Sequence, residues 1–133
     1  MCKSGSMEER LLIRDRYSAY SDAVFQQDKS SWLDCWCDDG TWIVFGKEIS
    51  GKQALTEQWD ATWSQLDRMA FFSEIGRIEV QDQQANVRSY CHEIVAFKNG
   101  KVLKVVGEYT DQLTKVNDVW RFSLRRYTVL IKE

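Results

Sequence analysis

The apolar positions of the first quarter fall on one helical stripe. Ile13, Tyr17, Tyr20 and Val24 recur at steps of four, three and four, the spacing of a single helix face. A helix is expected over 7–27, capped by Ser6, with Glu8 and Glu9 in the first turn where the helix dipole favours acid. A short second helix is expected over 31–37, capped by Ser30, with Trp32, Leu33 and Trp36 at helical spacing. Asp38-Asp39-Gly40 reads as its stop. Thr41-Trp-Ile-Val-Phe45 is rich in strand formers, and 46–51 reads as a turn or hairpin. A third helix over 52–66 carries Leu55, Trp59, Trp63 and Leu66 on one stripe.

From Arg68 the period changes. Four β segments are expected over 68–80, 84–98, 101–115 and 119–132. Asn99-Gly100 and Asn117-Asp118 are hairpin turns between them. Helices first and a long meander last predict an α+β fold, with the helices packed on one face of the sheet. In the last segment Trp120, Phe122 and Leu124 share one face, but after Arg125-Arg126 the apolar set moves to Tyr127, Val129 and Ile131. Side chains alternate with period two, so this phase slip implies a bulge. A bulged strand bends, and a bent sheet makes a concave wall.

The chain has 133 residues, the size of one domain, expected over 1–133. Its net charge of −2 and scattered cations give no basic face, so no nucleic-acid partner is expected. Of the four cysteines, Cys2, Cys35, Cys37 and Cys91, none has the spacing of a disulfide framework. With one histidine and no CxxC pair, no metal is expected. No cofactor is expected either. Residues 1–6 hold no long apolar run, so no signal peptide is expected. No stretch approaches the ~20 apolar residues of a membrane helix. Reduced thiols in a cytoplasmic protein are the expectation. Six tryptophans in so short a chain point to a pocket wall, an interface or an aromatic core.

Several motifs keep an order that belongs together: Ile13-Arg14-Asp15-Arg16-Tyr17-Ser18-Ala19-Tyr20, then Asp28 with Trp32-Leu33, and Cys37-Asp38-Asp39-Gly40-Thr41-Trp42. Gly51 opens the third helix. Gly107-Glu108-Tyr109 with Asp111 and Trp120-Arg121-Phe122 with Arg125 follow. From Glu8 to Lys132 the chain resembles the SnoaL-like group of the nuclear-transport-factor-2-like superfamily. The resemblance implies a cone, in which a strongly curved sheet wraps the first helix and leaves a cavity open at one end. Such proteins include dehydratases, ketosteroid isomerases, epoxide hydrolases, polyketide cyclases and non-catalytic binding domains. Fold alone does not choose among them. Two familiar catalytic positions are apolar here. Ile43-Val44-Phe45 stands where steroid isomerases carry a carboxylate base. Met69-Ala70-Phe71-Phe72 stands where many SnoaL-like proteins carry a histidine.

His92, the one histidine, is the first candidate for proton transfer; an exposed sheet histidine is the plainer alternative. Tyr17 and Tyr20 lie on the inner helix stripe and are candidates to polarise a substrate carbonyl. Trp42, Trp59, Trp63, Phe72 and Tyr90 are candidates for a ligand-binding wall. Arg125 is placed either on a ligand carboxylate or in an ion pair with Asp111 on the next strand. Asp15 and Asp22 read as a solvated helix face, and the facing of Glu93 and Glu108 stays open. Two functions follow. One is a cofactor-free lyase or isomerase of a small hydrophobic compound. The other is a non-catalytic binding or dimerisation module, with a homodimer as the expected partner state.

Overall fold

The computed structural model describes residues 5–133; Cys2 lies outside them. The first helix, α1, spans Met7–Phe25, and the Ser6 hydroxyl accepts from the Glu9 amide at 3.1 Å. The predicted stripe Ile13, Tyr17, Tyr20 and Val24 is its buried face, joined by Ala23. The helix stops before Gln27, which takes a left-handed φ of 54°.

The second helix, α2, spans only Lys29–Asp34, and its cap is Asp28 rather than Ser30. The Asp28 carboxylate accepts both the amide of Ser31 at 3.1 Å and its hydroxyl at 2.7 Å. Ser30 already lies inside the helix, too late to cap its first amides. Trp36 and Cys37, expected on that helix, open strand β1, Trp36–Val44. The reason is a distant partner. Phe122 donates its amide to Cys35 O at 2.8 Å, and Trp36 pairs with Phe122. Asp38-Asp39-Gly40 is therefore a bulge within β1, not a helix stop, since the pairing jumps from Trp36↔Phe122 to Thr41↔Leu124.

The remaining elements are β2 (Lys47–Ser50), α3 (Lys52–Trp63), β3 (Leu66–Gln81), β4 (Gln84–Phe97), β5 (Val102–Val116) and β6 (Val119–Lys132). Leu66, expected to end the third helix, begins β3. Asn117 and Asp118 both take positive φ, 52° and 64°, as a two-residue hairpin turn requires. The six strands form one curled sheet of order β2-β1-β6-β5-β4-β3. Only β1 and β6 run parallel; every other pair is antiparallel. The N-terminal helices pack against this sheet, and no helix of the described residues is long and apolar enough to cross a membrane.

The phase slip of β6 is real but sits earlier than predicted. Gln112 pairs with Leu124 while Leu113 pairs with Phe122, which leaves Ser123 as the extra residue. A second bulge leaves out Leu130. The slip at Ser123 keeps Phe122 inside, turns Leu124 partly outward and swings Arg125 into the interior, where 1% of it is exposed. The core around it is aromatic. Tyr20 meets Trp32, Trp36, Phe71 and Phe122 with ring centroids 5.6–6.3 Å apart.

Candidate functional site

Alternation along β4, β5 and β6 sends an unusual set of side chains inward. Ser89, Cys91 and Glu93 come from β4, Tyr109 and Asp111 from β5, and Arg125 and Tyr127 from β6. Residues of period two share a face. With α1 they build two layers.

The deeper layer is an ion pair. Arg125 Nε donates to Asp111 Oδ1 at 2.9 Å and Nη2 to Oδ2 at 3.1 Å, the side-on bidentate form. Ser89 adds a donor to Oδ2 at 3.2 Å, and the Tyr17 hydroxyl donates to the same oxygen. Burial, then the Asp111 charge, pushes the Tyr17 phenol well above its ordinary range, so it remains a donor. The guanidinium sits among aromatic rings, its central carbon 3.8 Å from the Tyr109 centroid, 4.4 Å from Phe122 and 4.6 Å from Tyr20. Cation–π contact of this kind offsets part of the desolvation of the charge. Nη1 is buried without a hydrogen-bond partner among the described residues.

The outer layer is a hollow of about 50 Å³ beside those rings. Trp32, Trp42, Trp59 and Trp63 wall it, and Tyr20, Tyr109, Thr62 and Glu93 bring polar groups to it. Trp32 and Trp59 form its buried side, with ring centroids 4.9 Å apart. Trp42 and Trp63 are half-buried and stand at the mouth. The Tyr109 hydroxyl accepts from Trp42 Nε1 at 3.1 Å, which leaves its own proton to be given. Burial pushes that phenol well up. Among the described residues Glu93 receives one hydrogen bond, from the Tyr127 hydroxyl to Oε2 at 3.2 Å. Burial pushes the Glu93 carboxyl above its ordinary range, against the opposing pull of Tyr127 and of Arg125. Cys91, beside it on the strand face, is pushed up to about 12, chiefly by burial, and is therefore a thiol rather than a nucleophilic thiolate. Among the described residues no three His, Cys, Asp or Glu side chains gather as a metal would need.

The SnoaL-like domain family matches this sequence over residues 5–126. The chain belongs to that family. Solved structures with the same fold include a Mycobacterium tuberculosis protein of unknown function, at 30% identity and a TM-score of 0.84, covering 94% of this chain and 78% of that one. A scytalone-dehydratase-like protein from Novosphingobium aromaticivorans matches at 18% identity and a TM-score of 0.88, covering 96% and 87%. A hexachlorocyclohexane dehydrochlorinase from Novosphingobium barchaimii matches at 17% identity and 0.85, covering 96% and 90%. At such identities the last two show the fold alone. Comparison with curated proteins found no match.

In this SnoaL-like chain the predicted site residues separate into three groups. Tyr20, Trp42, Trp59 and Trp63 meet at the hollow. Tyr17 and Arg125 lie one layer deeper, both on Asp111, so Arg125 makes the cross-strand pair foreseen as its second role. His92, Phe72 and Tyr90 do not reach the hollow. Buried Cys91 and buried Phe71 fix the phase of β4 and β3, which turns their neighbours to the other face. His92 is exposed there, opposite Phe72. Phe72 is 56% exposed and packs edge-on against Phe25. Tyr90 is half-buried over Gly76, opposite Glu108. Glu93, whose facing the sequence left open, is the inward carboxylate, and Tyr127 is its partner. The available signal was the spacing of Cys91, Glu93 and Val95 on one face.

Proposed function

We propose that this chain binds a small, mostly apolar molecule in the tryptophan-walled hollow and acts on it as a lyase or isomerase. The step begins with removal of a carbon-bound proton by Glu93. The observation that carries the reading is the setting of that carboxyl: inside an aromatic wall, desolvated, and with no cation at hydrogen-bond distance among the described residues. A raised carboxyl pKa makes a stronger base once ionised and brings its proton exchange nearer to neutral pH. Tyr109 supplies the complementary group. Its free proton can be given to the oxygen on which negative charge develops. In an elimination the C–H electron pair then becomes the double bond as the leaving group departs. In an isomerisation the proton returns to another carbon. Structural neighbours named as a dehydratase and a dehydrochlorinase support the first form.

A hollow of about 50 Å³ is well short of the ~150 Å³ that takes a benzene ring. Entry of a ring-sized guest therefore requires the mouth residues Trp42 and Trp63 to turn outward. Their rings report on this directly. A panel of small aromatic carbonyl and halogenated compounds would be scored first by tryptophan fluorescence and then by turnover. For a compound that passes both, Glu93→Gln is expected to keep the fluorescence change and to lose turnover by about 10²–10⁴-fold. Full turnover in Glu93→Gln would remove the mechanism.

A second reading is a homodimeric binding module without chemistry. It is favoured by the exposed apolar run Val129, Leu130 and Ile131, which are 43%, 50% and 62% exposed. It predicts a dimer by light scattering that Leu130→Glu and Ile131→Glu dissociate. A monomer at all concentrations would discard it.

A further inference from the structure

The Tyr127 side chain of β6 reaches across β5 to touch β4. The strand order β6-β5-β4 puts Glu93 two strands from Tyr127, a distance of roughly 9–10 Å at ~4.8 Å per strand. The Tyr127 hydroxyl nevertheless donates to Glu93 Oε2 at 3.2 Å. The residue beneath its path is Gly107, which pairs with Cys91 on β4 and with Val129 on β6. A Cβ at Gly107 would stand 2.5 Å from the Tyr127 Oη and nearer still to the ring. Gly107 is not among the glycines of positive φ. Glycine is therefore needed here for space and not for backbone conformation.

We infer that Gly107 and Tyr127 are positioning residues: the side-chain-free slot at Gly107 lets Tyr127 cross β5 and hold one oxygen of the Glu93 carboxylate. Its catalytic meaning rests on the reading of Glu93 as the proton-transfer group; the slot itself does not. Burial, and after it the Glu93 charge, pushes the Tyr127 phenol upward, so it serves as a fixed donor at working pH. A donor to a carboxylate favours the charged form. Tyr127 thus limits how far desolvation raises Glu93, and it engages Oε2 while Oε1 accepts no hydrogen bond among the described residues. The other ionisable groups around Glu93 are Arg125 on β6, Tyr109 on β5, Cys91 on β4 and Tyr20 on α1. The contributions of α3 and β3 to the hollow are Trp59, Thr62, Trp63, Met69 and Phe71, none of which titrates.

The test follows the Glu93 carboxyl directly, by carbon NMR titration of protein carrying ¹³C-labelled glutamate, with Glu93→Gln identifying its signal. Tyr127→Phe is expected to move the Glu93 midpoint to higher pH. Gly107→Ala is expected to move it by the same amount, because it displaces the same hydroxyl. The double variant is expected to move it no further than either single one, which a general loosening of the sheet would not produce. If Gly107→Ala does not fold, the Tyr127→Phe titration decides alone. An unchanged midpoint in Tyr127→Phe, or two shifts that add, overturns the inference. The outcome is separate from the catalytic reading: a responsive midpoint with full turnover in Glu93→Gln keeps the slot and discards the base.

Discussion

Two carboxylates face the interior from neighbouring strands, and their surroundings differ. Asp111 accepts from Arg125 Nε and Nη2, from Ser89 and from Tyr17. Among the described residues Glu93 accepts from Tyr127 alone, and it borders an open hollow. The first has its charge met at every side, and its four donors come from β4, β6 and α1, so it ties the sheet to the helix. The second has its charge largely unmet. The comparison teaches that burial by itself does not separate a structural carboxylate from a candidate base; the number and charge of its donors do.

The first way to break the comparison is to remove the fully met partner. Asp111→Ala leaves the Arg125 guanidinium buried and unpaired, and a loss of about 3–5 kcal/mol is expected in urea unfolding. A loss under about 1 kcal/mol, the scale of an exposed pair, would show that the pair is not the tie described. Tyr17→Phe removes one donor to the same charge, with an expected loss of about 1.5–3 kcal/mol in the same measurement.

Glu93→Gln should behave in the opposite sense. The folded-state pKa of Glu93 is raised, so between its ordinary value and the folded one the native state holds more protons than the unfolded state. Wild-type stability therefore falls as pH rises through that window. The variant lacks this slope. Its melting temperature relative to wild type is expected to increase from pH 4 to pH 8, and a difference flat with pH would contradict the assigned environment. The smallest effect belongs to His92→Ala. An exposed residue on the outward face is expected to change stability by less than about 0.5 kcal/mol, with turnover of any substrate intact. Loss of turnover there would return His92 to the site.

What could be read from the sequence was whatever depended on near neighbours. The Ile13–Val24 stripe and the Ser6 cap are local, and so is the Asn117-Asp118 turn that sets Leu113 opposite Phe122. The border of α2 and β1 was not local. Trp36 reads as helical beside Trp32, and only pairing with Phe122, far along the chain, makes it a strand residue. The facing of β4 failed for a different reason. Its inner face carries Ser89, Cys91 and Glu93, while Tyr90 and His92 point the other way. Ala85, Val87, Cys91 and Val95 mark that inner face by period two, and choosing Tyr90 and His92 for their chemistry passed over this phase.

The strand order has a consequence for how the molecule comes together. The β3–β4–β5 meander needs only sequential neighbours, and its hairpins can zip as they are made. The β1–β2 pair has no such neighbour, because its seat in the sheet is against β6. Until β6 arrives, Trp36 lacks its strand partner and Asp111 lacks its counter-ion. Docking of the earliest strand therefore waits on the latest, a long-range closure of the kind that slows folding. In the interval β1, with its edge unpaired, is the segment most exposed to intermolecular pairing.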